Sequence, residues 1–119
     1  MKLAITATGE GLESPVDPRF GRTKYFIVID PETNAATAVG NSVNLNAAQG
    51  AGIQAAKTLI DLGVTALITG HVGPKAFTTL QAGGIAIYPV TAGTVADAVK
   101  QFQAGALQAM ASADVEGHW

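Results

Sequence analysis

The sequence predicts one α/β domain built on a mixed five-stranded sheet with helices on both faces, in the order strand, strand, strand, helix, strand, helix, strand, helix. Three observations predict it. Short apolar runs bounded by Gly, Pro and Asn recur along the chain, and from the middle onward they alternate with stretches of helical period. The 119 residues are 48% hydrophobic and 13% charged, which is enough apolar surface for a core and too little charge for a disordered chain. A hairpin followed by alternating helix and strand calls for right-handed crossovers, which set the first strand centrally and parallel to the fourth and fifth.

Each element has its own justification. Residues 2–8 form a strand with apolar Leu3, Ala4, Ile5 and Ala7, apolar enough for the middle of a sheet. Residues 9–24 show no periodicity and make a long loop, which in a compact domain points to function. The loop contains Gly9, Gly11, Ser14, Pro15, Asp17 and Pro18, then Arg19-Phe20-Gly21-Arg22-Thr23-Lys24, three cations around an aromatic and a glycine. Phe20 is expected to anchor the loop by burying its ring. Residues 25–30 are the second strand, Pro31-Glu32-Thr33-Asn34 a turn, and 36–40 a weaker third strand. After a polar loop over 41–46, Asn46 and Gln49 have capping-box spacing, and Ile53, Ala56 and Ile60 share one face of a helix that stops at Gly63.

Residues 64–68 are the fourth strand. The turn Thr69-Gly70-His71-Val72-Gly73-Pro74-Lys75 then hinges it to a helix with Ala76, Phe77 and Leu80 on its core face, ending at Gly83-Gly84. Pro74 suits a first turn, and the glycines permit a tight turn and close approach of a ligand. Lys75 falls in that first turn, where the helix dipole favours anions over cations by roughly 0.3–1 kcal/mol. An anionic neighbour accounts for it; so does plain solvent. Residues 85–88 are the last strand, closed by Pro89. Thr94 with Asp97 caps a third helix carrying Val95, Ala98, Val99 and Phe102, with Gly105 as its stop. A further turn or two of helix is expected over 106–113 and a loose tail over 114–119. The domain is placed at 1–107 and the C-terminal tail at 108–119.

Composition excludes several functions. A net charge of −2 gives no field for nucleic acid, no apolar run is long enough for a bilayer, and no secretory pattern leads the chain; the expected address is cytoplasmic. The absence of cysteine excludes disulfides and thiolate-held metal, so a metal must use other ligands or arrive in a cluster with its own sulfide.

In the expected topology the loops after strands one, three, four and five share one sheet edge with the start of strand two, the edge where open sheets bind ligands. That rim collects Arg19, Phe20, Gly21, Arg22 and Lys24; Asn44; Thr69, Gly70, His71, Gly73 and Lys75; and Thr91, Gly93 and Thr94. Cations, loop amides and helix amino ends are the parts of an anion site. No nucleophile elbow, paired metal histidines, dinucleotide fingerprint or Walker pattern is present. The topology resembles the ribonuclease H architecture, but its two-metal chemistry needs a carboxylate on the first strand, and there is none. Asp17 and Asp30 alone make no cage, and Asp30 fits a turn. His71 is a candidate metal ligand, a candidate donor to a cluster sulfide, or an exposed turn residue. His118 beside Trp119 fits an incidental tail residue, and Met110 fits core or tail.

Ser14-Pro15-Val16-Asp17 leading to Arg19-Phe20-Gly21-Arg22, then Tyr25-Phe26, Gly50-Ala51-Gly52, Ile68-Thr69-Gly70, Gly73-Pro74-Lys75-Ala76 and Thr94-Val95 together resemble the dinitrogenase iron–molybdenum cofactor biosynthesis family, from Met1 to about Leu107. The resemblance implies a ribonuclease H-like three-layer fold and a non-enzymatic protein that binds or carries a metal–sulfur cluster. The cysteine-free loop is most like a branch that holds a molybdenum–copper sulfide cluster without covalent attachment. Carriage of an iron–molybdenum cofactor precursor is the alternative cargo, with other cluster-assembly proteins as partners; a metal-dependent phosphoesterase or nuclease is the enzymatic alternative. Family members often have a histidine directly before Phe-Gly. Arg19 occupies that position here and cannot ligate a metal, which favours electrostatic capture.

Overall fold

The structure is a computed structural model and describes residues 2–30, 32–41 and 51–110. Its strands are β1 (Lys2–Ala7), β2 (Tyr25–Asp30), β3 (Ala35–Gly40), β4 (Val64–Thr69) and β5 (Ala86–Pro89), and its helices α1 (Ala51–Asp61), α2 (Pro74–Ala82) and α3 (Val95–Gln103). The sheet order is β3-β2-β1-β4-β5. β1 pairs antiparallel with β2 and parallel with β4, and β4 is parallel to β5. The expected mixed sheet with a central first strand is therefore observed.

Alternation along the strands divides the core into two layers. On one face Ala4, Phe26, Val28 and Leu67 pack with Ala55, Ala56 and Leu59 of α1 and Ala76, Phe77 and Leu80 of α2. On the other, Leu3, Ile5, Ile27, Ile29 and Ile68 meet Val95 and Ala98 of α3. The sheet is thus covered on both faces. Because β1, β3, β4 and β5 all run the same way, each helix begins at the edge where β1 ends and β2 starts. At the opposite edge Asp30 does act as a turn residue: its carboxylate accepts from the Glu32 N–H at 2.9 Å and its carbonyl from the Asn34 N–H at 2.7 Å.

Several boundaries differ from expectation. β1 ends at Ala7 rather than Thr8, and β5 includes Pro89, which pairs in register with Thr69; a proline is tolerated at a strand end. The helix expected to continue after residue 105 does not do so in its described part. Gly105 adopts φ +73° and stops α3, and the chain then runs back so that the Met110 N–H donates to the Ile87 carbonyl at 2.6 Å. The Met110 side chain packs against the α1 and α2 layer. The Asn46–Gln49 cap, Asn44, Gly50 and the residues 111–119 with His118 lie outside the described residues. Among those described, no helix is long and apolar enough to cross a membrane.

Candidate functional site at the sheet rim

The 9–24 loop is irregular, yet it is stitched to β1, to the amino end of α3 and to the turn before α2. Val16 pairs with Ala7, Pro15 with Thr94, and Arg19 with His71. A polar cross-link sits beneath it: the Thr6 hydroxyl donates to the Asp17 carbonyl at 2.7 Å and lies 2.8 Å from the Thr69 hydroxyl, all three residues being buried. The one Thr6 proton goes to the carbonyl, which can only accept, so Thr69 supplies the proton of the second bond. Phe20 is fully buried and its ring lies 5.9 Å from that of Phe26. It anchors the loop as expected, by roughly 1.5–3 kcal/mol of apolar burial.

The cationic segment meets the central turn through main chain. The His71 N–H donates to the Pro18 carbonyl at 2.7 Å, and the Phe20 N–H donates to the His71 carbonyl at 3.3 Å. Gly70 has no room for a side chain: a Cβ there would stand 2.5 Å from the Pro18 carbonyl oxygen. Glycine at this position is what lets the loop backbone approach so closely. Thr69 and Phe20 have no solvent-facing surface, so they support the rim from below and do not touch a guest from solvent.

The two helix amino ends at this rim differ. At α3 every first-turn donor is engaged. Thr94 and Asp97 form a capping box, the Val95 N–H donates to the Ser14 carbonyl at 2.9 Å, and the Ala96 N–H to the Leu12 carbonyl at 2.8 Å. Thr94 therefore has its amide engaged by Asp97, while its hydroxyl accepts the Asp97 N–H and keeps its own proton. Thr91 and Gly93 are exposed, but the Gly93 carbonyl accepts from Val16 at 3.0 Å. At α2 no side chain caps the helix, Pro74 in the first turn has no N–H, and the Phe77 N–H, to the Gly73 carbonyl at 2.9 Å, closes the first helical bond. The Lys75 and Ala76 amides precede it and have no acceptor within the helix. Lys75 is exposed beside them. An open groove of about 390 Å³ continues from this end between α1 and α2, lined by Ile53, Pro74, Lys75, Thr78 and Thr79.

Around this turn Arg19 and Lys24 are exposed, and Arg22, after buried Gly21, and His71 are part-exposed. The Arg19 Nε lies 3.7 Å from a carboxylate oxygen of Asp17. That same oxygen accepts the Arg19 N–H at 3.0 Å, so Asp17 shapes the turn from a buried position. Among the described residues no group of three His, Cys, Asp or Glu side chains converges to hold a metal ion. At the edge of the rim the Glu10 carboxylate hydrogen-bonds the Tyr25 hydroxyl and pushes its pKa above the ordinary value, by that bond first and by its charge second.

Sequence reasoning missed Thr6, Thr23 and Asn41. Thr23 is buried, accepts from the Ala7 N–H at 3.1 Å and donates to the Ala7 or Tyr25 carbonyl, each at 3.0 Å. The Asn41 side-chain amide donates to the Thr23 carbonyl at 2.8 Å. The available signal was a single hydroxyl residue set between two cations or inside an apolar strand.

A mixed five-stranded sheet covered by helices on both faces, with the helix amino ends at one rim, makes this a small α/β domain. The chain belongs to the dinitrogenase iron-molybdenum cofactor family, whose model matches residues 1–105, in agreement with the resemblance seen in the sequence. Among solved structures it is similar to the apo form of the orange protein from Desulfovibrio gigas, with 43% identity, a TM-score of 0.94 and 96% of each chain covered. A Thermotoga protein of the DUF35 family is 36% identical with a TM-score of 0.85 over 98% of each chain. An uncharacterized protein of Methanocaldococcus jannaschii is 26% identical over 110 residues, 91% of this chain and 90% of that one.

Proposed function

We propose that this chain is a non-enzymatic carrier of an anionic molybdenum–sulfur cluster, of molybdenum–copper sulfide type, gripped non-covalently at the rim. The observation that carries the reading is the junction of residues 18–20 with Gly70 and His71, which holds a cationic loop beside the uncapped α2 amino end. Guanidinium, ammonium and amide N–H groups donate to sulfide while leaving the metal shell intact, and hydrogen bonds to charged groups contribute about 1.5–3 kcal/mol each. Without cysteine the protein supplies charge and shape, and the cluster supplies its own sulfur. Arg19, Arg22, Lys24 and Lys75 are assigned to the guest's charge, the Gly73 turn to its amide contacts, and His71 to a donor contact at sulfide or metal. The strand order and two-sided helix cover fit a ribonuclease H-like class, which we assign on that basis.

The copper-containing form is what the resemblance read from the sequence implies, and the family description supports an iron–molybdenum cofactor precursor as the alternative cargo. Delivery from cluster-assembly proteins in the cytoplasm completes the reading. The hydrolytic alternative asks Asp17 to bind a divalent metal, whereas its carboxylate is buried and already accepts the Arg19 N–H.

Adding tetrathiomolybdate and a copper salt to the purified protein is expected to give a visible chromophore that co-elutes with it on gel filtration. Arg22→Ala and Lys75→Ala are expected to weaken retention and Lys57→Ala, on the exposed side of α1, to leave it unchanged. Free cluster eluting apart from the wild-type protein, or equal retention by all three variants, overturns the reading.

A further inference from the structure

We infer that Thr23 is a positioning residue: its buried hydroxyl, clamped on Ala7, sets the directions of Arg22 and Lys24 at the rim. The inference rests on the proposed cluster-binding role and goes beyond it, because Thr23 itself is fully buried and touches no guest. One oxygen does two tasks. Its lone pair takes the Ala7 N–H at 3.1 Å, and its single proton goes to the Ala7 or the Tyr25 carbonyl, each at 3.0 Å. The side chain thereby holds the last residue of β1 just where the loop turns into β2. From the other side, the Asn41 side chain donates to the Thr23 carbonyl at 2.8 Å, and the Asn41 N–H to the Lys24 carbonyl at 2.9 Å.

The segment is thus fixed at its centre by a hydroxyl and along its back by an amide. Arg22 and Lys24 lie on either side of the fixed point, part-exposed and exposed. Long cationic side chains lose much rotamer freedom when they grip an anion, so a fixed backbone lowers the cost of convergence. Valine at this position keeps the β-branched shape but cannot accept the Ala7 N–H. Serine keeps the hydroxyl and loses only a methyl group.

The test compares wild type, Thr23→Val and Thr23→Ser for retention of the cluster formed from tetrathiomolybdate and copper salt, together with the visible circular dichroism of the bound chromophore and the thermal midpoint. Thr23→Val is expected to hold the cluster about 10-fold more weakly, the order that loss of one buried hydrogen bond gives, with an altered dichroic band. Thr23→Ser is expected to restore both. Wild-type retention with an unchanged Thr23→Val variant overturns this inference alone, while failure of the wild type to retain cluster overturns the function and this inference together. A Thr23→Val protein with a lowered midpoint but wild-type retention and dichroism also overturns it, since that is a structural role only.

Discussion

The His71 amide donates to the Pro18 carbonyl at 2.7 Å, and this bond joins the basic loop to the turn that opens α2. Gly70 makes the approach possible, because a Cβ there would stand 2.5 Å from the same carbonyl oxygen and 2.6 Å from the Pro18 Cα. The two segments are some fifty residues apart in sequence, and this contact brings the cations of one to the helix end of the other.

Gly70→Ala is expected to destabilise the protein by about 1–3 kcal/mol, the usual cost of forcing volume into packed backbone. Gly40→Ala is the comparison, since a Cβ there would meet nothing within 4 Å. Urea unfolding of both variants checks this. Equal midpoints would mean that the Pro18 contact does not constrain position 70.

Thr94→Ala removes the capping box of α3 and is expected to cost about 0.5–2 kcal/mol of stability. Cluster retention is expected to stay at the wild-type level, because the α3 amides are already engaged by the Ser14 and Leu12 carbonyls. Loss of retention in a folded Thr94→Ala protein would return the 91–94 turn to the site.

These two positions mark what the sequence made legible. The Thr94–Asp97 cap, the proline and glycines around α2, and the strand patterns are local signals, and the structure follows them. What closes the α3 amino end comes from Leu12 and Ser14, some eighty residues earlier, and no local pattern announces a carbonyl aimed at a distant amide. Gly70 is visible as a glycine, but its neighbour Pro18 is not. Thr23 is hidden between two charges, and the Met110 tie to Ile87 follows a glycine stop that local pattern alone does not distinguish from a helix restart.

Tyr25 gives a prediction in pH. Its hydroxyl donates to the Glu10 carboxylate, which raises its pKa above 10.0. The neutral phenol is therefore the form favoured by folding. Its contribution is complete below the ordinary tyrosine value and is lost as pH rises through the raised one. Ultraviolet titration in a Tyr88→Phe background should show Tyr25 ionising at higher pH than in the same background carrying Glu10→Ala. Coincident titrations would remove the Glu10 contact.

The proposed guest anion sits between the basic loop and the α2 amino end and nowhere else on the sheet. Mapping backbone amide chemical shifts as the molybdenum–copper sulfide cluster is loaded tests it most directly. The expected result is a set of large shifts at Arg19, Arg22, Lys24, Gly73, Lys75 and Ala76, with Val95, Ala96 and the Asp30 turn unmoved. Shifts centred on the α3 amino end, or on the far edge near Asp30, would contradict it.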